Sequence, residues 1–144
     1  FLGLFGMETA MRTREMCSMR WGNVGAKLVH IPESKNGDAR DVPLSKYARE
    51  LLETLRGDDP DKLNADDSVF EMKPSQVDAN FRKAKKKANI EDLHFHDFRR
   101  EALTRLAKKL SLMELAKVSG HRDTKILLNV YYRPKMDDIA DMLD

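Results

Sequence analysis

Residues 27–44, KLVHIPESKNGDARDVPL, are where the apolar residues leave the helical period, and their reading decides the fold class. Lys27 to Ile31 alternates and is β-branched enough for a strand. Lys35-Asn36-Gly37-Asp38 marks a turn, because Asn-Gly tolerates the positive φ that tight hairpins require. Arg40 to Leu44 then returns as a second strand, at an edge because Pro43 has no N–H to give a ladder. A hairpin is therefore expected here.

Outward from the hairpin the pattern is helical. Upstream, residues 2–10 and 13–20 read as two short helices that meet near Arg12, with Met16, Cys17 and Met19 on an apolar face and Trp21-Gly22 as the stop. Downstream, Ser45 caps a helix whose Tyr47, Leu51, Leu52 and Leu55 keep the 3.6 period to Gly57. An acidic loop runs to about Asp67, and Ser68 to Glu71 reads as a short strand. Further helices are predicted over 74–88, 97–110, from Ser111 to Gly120, from Asp123 to about Tyr132, and over 136–143. Pro134 separates the last two. The expectation is one domain over residues 1–144, mainly α with a small antiparallel β-sheet (α+β).

Composition narrows the function. No apolar run approaches the roughly 18 residues of a membrane span, and the apolar opening FLGLFGMETAM lacks the basic leader and cleavage site of a signal peptide. That opening, without an initiator Met, suggests a piece of a longer chain. One cysteine, Cys17, excludes an internal disulfide and a cysteine-based zinc site, and fits a reducing compartment. Net charge is +2, yet residues 82–125 hold 13 Lys and Arg against 6 Asp and Glu, while 57–78 is acidic. Such segregation suits a basic face for a polyanion, although RKAKKK also fits the solvated side of a helix.

Five segments carry the chemistry: TAMRTREMCSMRW (9–21), SKNGDARDVPLS (34–45), HFHDFRRE (94–101), SGHRD (119–123) and VYYRP (130–134). In order and rough spacing they resemble the TGxRxxE, TKNGxxRxVPL, HxLRH, LGH and RYxHP boxes of the tyrosine recombinases, the phage-integrase type of DNA breaking-rejoining enzyme. The match spans Ala10 to Pro134. It implies that domain's integrase-like fold and a catalytic set of Arg12, Lys35, His96, Arg99, His121 and Tyr131. Each residue alone has a duller reading. Arg12 with Glu15 at i+3 makes an ordinary surface ion pair, Lys35 an ordinary turn lysine, and Tyr131 a capped core aromatic. His94, His96 and His121 form a conceivable zinc set, but no carboxylate or thiol completes it. The expectation is no metal and no cofactor.

The residue types suit phosphoryl transfer. Two guanidiniums can bind non-bridging oxygens bidentately, and each donor is worth about 3 kcal/mol of barrier. A phenol, with an unperturbed pKa of about 10, needs a proton acceptor, for which His96 is the candidate. The resemblance makes Lys35 the general acid at the leaving 5′ oxygen, His121 a phosphate ligand and Glu15 a brace. It implies a 3′-phosphotyrosyl ester and a free 5′-hydroxyl that later attacks in reverse.

The sequence also departs from the pattern. Ala10 replaces the usual Gly, which is tolerable if its φ stays negative. Arg100 and Glu101 stand where His-Thr is common. The His121–Tyr131 gap is one residue longer than expected, so Val130 occupies the strict position and Tyr132 is an alternative nucleophile.

The implied partner is double-stranded DNA, with Arg82, Lys83, Lys85, Lys86, Lys87 and Arg122 as phosphate contacts. Assembly would be a tetramer on DNA, exchanging the C-terminal helix whose stripe is Met136, Ile139, Ala140 and Leu143, or packing that helix in cis. A monomer without DNA is compatible with this. A helical core-binding domain would precede these residues. Localisation would be the cytoplasm of a bacterial or phage-infected cell, at the nucleoid. Two other functions share the scaffold: a type IB topoisomerase and a non-catalytic DNA-binding module.

Overall fold

In the computed structural model, which describes residues 1–33, 37–121 and 124–143, the hairpin forms as an antiparallel pair, β1 (Leu28–Ile31) and β2 (Arg40–Pro43). The register sets Leu28 opposite Pro43, Val29 opposite Val42, His30 opposite Asp41 and Ile31 opposite Arg40. Period two therefore gives the sheet an inner face of Val29, Ile31, Arg40 and Val42 and an outer face carrying the His30–Asp41 pair, 2.9 Å apart.

Before the sheet come α1 (Leu2–Thr9), α2 (Thr13–Ser18) and a 3₁₀ turn at Trp21–Asn23. After it come α3 (Lys46–Arg56), a 3₁₀ turn at Pro60–Lys62, α4 (Pro74–Lys87), α5 (Asp97–Ala107), α6 (Leu112–Ser119), α7 (Thr124–Val130) and α8 (Met136–Met142). The caps are those the sequence indicates. Ser45 Oγ accepts the Ala48 N–H at 3.1 Å, and Ser111 exchanges bonds with Glu114 at 3.2 and 2.9 Å. Asp123, read as a cap for α7, lies outside the described residues.

Ser68–Glu71 is not a strand. It makes one bridge, Ser68 to Arg20, and Glu71 then turns to φ 52 while its N–H bonds Ser68 Oγ at 3.1 Å. A serine-mediated turn thus takes the donor that a ladder would have used. Among the described residues no helix is long and apolar enough to cross a membrane.

Two hydrophobic clusters form the interior. The larger joins Phe5 of α1, Met11, Met16 of α2, Val29, Val42, Leu51 and Leu52 of α3, and Val77 of α4. The smaller joins Ala10, Ala102 and Leu103 of α5, Leu115 of α6 and Leu127 of α7. The chain crosses between them at Ala10–Met11. By contrast α8 buries no residue: Met136, Met142 and Leu143 are 70, 80 and 81% exposed.

Candidate active site

Where the two clusters meet, the interior turns polar. Ala10 ends α1 in the left-handed region, φ 59, and is fully buried. The condition under which alanine is unstrained here, a negative φ, is therefore not met. Gly in the family pattern meets the same requirement without strain. The turn aims the Ala10 carbonyl at Arg99, whose guanidinium donates to it and, at 2.9 Å, to the Ser119 carbonyl. Arg99 sits one turn into α5 and is thereby fixed to the ends of α1 and α6.

Arg12 precedes α2. Its backbone N–H donates to Glu15 Oε1 at 2.8 Å, and its guanidinium lies 3.6 Å from Glu15 Oε2. The i+3 ion pair is real, but it is half of the arrangement. Arg40, 10% exposed on the inner face of β2, donates to both Glu15 oxygens, at 2.9 Å for Oε1, and to the Val118 carbonyl at 3.1 Å. Sequence reasoning placed Arg40 in a strand and gave it no role. The signal was available: with Val42 inward, period two turns Arg40 inward too.

His121 follows the left-handed cap Gly120, φ 72, where a Cβ would come within 2.8 Å of the Arg40 guanidinium. Nδ1 of His121 is 2.7 Å from Ser119 Oγ and 3.5 Å from Arg99. Tyr131, after α7, is half-buried against the smaller cluster, whereas Tyr132 is 45% exposed. His96 is exposed at the start of α5. With Arg12, Thr13 and Arg99 it lines a cavity of about 90 Å³, and its ring stacks on His94 at 6.1 Å. Lys35 and Arg122 lie outside the described residues. The other proposed DNA contacts, Arg82, Lys83, Lys85, Lys86 and Lys87, lie on α4. Among the described residues no three His, Cys, Asp or Glu are grouped to hold a metal ion.

The electrostatics are those of a site short of negative charge. Burial pushes Arg99 down to about 10, helped by the charges of Arg12 and Arg40 and opposed by Glu15 and Tyr131; it stays cationic at neutral pH. His121 falls to about 4, first through burial and then through Arg99, Arg12 and Arg40, so its ring is neutral. Burial alone would raise the Glu15 carboxyl. Hydrogen bonds from Arg40 and the Arg12 backbone, with both guanidinium charges, outweigh it and hold the group below the usual range. Arg12 and Arg40 thus share one carboxylate while the half-buried Arg99 has only carbonyl and imidazole partners among the described residues, a balance that a bound anion would improve. A concavity of about 1000 Å³ between residues 24–26 and α3 lies elsewhere and contains none of these groups.

A model of the phage integrase family matches residues 2–137. A candidate integrase/recombinase of Haemophilus influenzae is 51% identical over 145 residues, covering 98% of this chain and 46% of that protein. The shufflon-specific DNA recombinase of Escherichia coli is 40% identical over 125 residues, 84% of this chain and 31% of that one. The chain therefore spans less than half the length of the curated relatives it matches. The fold is shared with the transposon Tn1549 integrase solved with a circular intermediate DNA (TM-score 0.76, 16% identity, 98% of this chain and 56% of that one). It is shared too with a lambda integrase dimer bound to a COC′ core site (TM-score 0.69, 18% identity, 92% and 50%).

Proposed function

Because the chain belongs to the phage integrase family, we propose that it is the catalytic domain of a site-specific tyrosine recombinase, cutting and rejoining double-stranded DNA through a 3′-phosphotyrosyl ester. The observation that carries this reading is the pairing of Arg12 and Arg40 with the Glu15 carboxylate, beside a half-buried Arg99 that lies 3.5 Å from His121. Arg12 and Arg99 bind the non-bridging oxygens of the scissile phosphate and offset the charge of the phosphorane-like state, which asks for no metal. Tyr131 Oη attacks phosphorus, the P–O5′ bond breaks, the phenol proton passes to His96, and Lys35 protonates the departing 5′ oxygen. A 5′-hydroxyl from the partner duplex reverses these steps. Tyr131 is favoured over Tyr132 because its ring is packed against the smaller cluster, whereas Tyr132 is 45% exposed.

The DNA backbone beyond the scissile phosphate is assigned to Arg82, Lys83, Lys85, Lys86, Lys87 and Arg122. The bare apolar stripe of α8 supports exchange of that helix between neighbours in a tetramer on DNA. The relatives are bacterial proteins, and a bacterial nucleoid is the expected setting. The test is covalent trapping on nicked DNA carrying a suspected attachment site, with chelator present. A chelator-resistant adduct is expected in the wild type and in Tyr132→Phe, and its loss in Tyr131→Phe. Loss in Tyr132→Phe alone would move the nucleophile by one residue. No adduct on DNA shown to bind would leave a DNA-binding scaffold, and an adduct without exchange between two duplexes a topoisomerase.

A further inference from the structure

Ser119 stands where the matching LGH box has leucine, so the family pattern gives it no role. It is fully buried, and its hydroxyl oxygen lies 2.7 Å from Nδ1 of His121. That oxygen accepts the His121 backbone N–H at 3.4 Å and has its own proton to donate. Two arrangements fit the 2.7 Å contact. In the first, the hydroxyl donates to an unprotonated Nδ1. In the second, Nδ1–H donates to the hydroxyl, which turns its proton to the Ala116 carbonyl 3.4 Å away.

Arg99 decides between them. Its guanidinium nitrogen is 3.5 Å from the same Nδ1 and can only donate. The second arrangement points an N–H dipole at a cation and relies on the longer bond for the hydroxyl proton. The first points every donor at an acceptor. We propose that Ser119 is a positioning residue, locking His121 in the neutral Nε2–H tautomer so that the ring presents a fixed hydrogen-bond donor to the scissile phosphate. The proposal rests on the recombinase reading above.

Three cations face the ring: Arg99 on α5, Arg12 ahead of α2 and Arg40 on β2. They supply positive charge already and oppose a fourth. The opposite tautomer would turn a lone pair toward the phosphate oxygens and repel them. A neutral ring with its proton on Nε2 adds a directed donor without adding to the crowding.

The test is ¹⁵N NMR of the chain labelled at histidine, with the His121 signals assigned by their loss in His121→Gln. At pH 7 the ring is expected to show a protonated Nε2 and a bare Nδ1. A protonated Nδ1, alone or in a charged ring, overturns the proposal. In Ser119→Ala, shown to be folded by its thermal melt, the signals should move toward a mixture of tautomers. Single-turnover adduct formation should slow by about 3- to 10-fold, short of the ~100-fold that follows outright loss of a donor. DNA affinity should be unchanged. A folded Ser119→Ala with wild-type ring signals and rate also overturns it. If no adduct forms in any variant, the recombinase reading fails, while the ring signals still report the tautomer.

Discussion

Arg40 shows how one side chain can tie three elements together at a site. Its guanidinium meets both oxygens of Glu15 and the Val118 carbonyl, tying β2 to α2 and to the end of α6. Without it, Glu15 would turn fully to Arg12, 3.6 Å away, and compete with the phosphate for that guanidinium. Arg40→Ala is therefore expected to cost about 3 kcal/mol in denaturant unfolding, because it leaves a largely buried carboxylate without its main partner. It should also lower adduct yield at saturating DNA. Arg40→Lys should recover only part of either loss, since an ammonium cannot reproduce the planar three-acceptor fork. A lysine variant equal to wild type in both assays would contradict this account. Ala10 makes the complementary point about legibility. The sequence identified it as the residue in the glycine position but left its φ open. The left-handed turn costs about 1 kcal/mol for an alanine, and its buried methyl returns about 0.8 kcal/mol. Local propensity therefore could not foretell the conformation; the carbonyl's engagement by Arg99 decides it.

Among the elements, α4 poses the clearest choice between structure and function. Its lysines at 85, 86 and 87 fill the last turn, where cations also complement the helix dipole by roughly 0.3–1 kcal/mol each. Lys85 leans over Phe81 at 5.5 Å, leaving Arg82, Lys83, Lys86 and Lys87 along one arc. If that arc follows a phosphate backbone, Lys83→Gln, Lys86→Gln and Lys87→Gln should each flatten the plot of log affinity against log salt by about 0.9, alike on unrelated duplexes. A variant that lowers the melting temperature but keeps the slope would mark its lysine as a dipole partner only. The helices and the hairpin were legible because each carries its own period and caps: Ser45, Ser111 and Gly120 stand where the elements begin and end. Ser68–Glu71 misled because four residues give too short a pattern, and a side-chain bond from Ser68 redirects the backbone. The ordered boxes pointed to Arg12, Arg99, His121 and Tyr131 as a set. Arg40 and Ser119 were not singled out, since their roles depend on partners 78 residues away in one case and on a ring tautomer in the other.

At the scale of the molecule, the site occupies the seam between the two hydrophobic clusters. Arg12 and Glu15 stand on the larger, Arg99 and Tyr131 on the smaller, and Arg40 spans the gap. Charge at the seam therefore bears on the stability of the whole domain. His121 is held at about 4, against about 6.5 for an unfolded histidine. Between those values the unfolded chain takes up a proton that the folded ring refuses. Stability is then full above pH 6.5 and declines as pH falls toward 4. Glu15 works in the same direction at lower pH: its carboxyl sits below the usual range when folded, so acid protonates the unfolded chain first and weakens the fold further. Melting temperature should accordingly drop in two limbs, one from 6.5 to 4 and a second below about 4.5. His121→Gln keeps a donor but cannot titrate, and should shrink the upper limb while leaving the lower one. A melting temperature level from pH 6.5 to 4.5 would mean that the folded ring charges as readily as the unfolded one. The three guanidiniums would then not be acting on it, and the seam would not be the cation-crowded anion site described above.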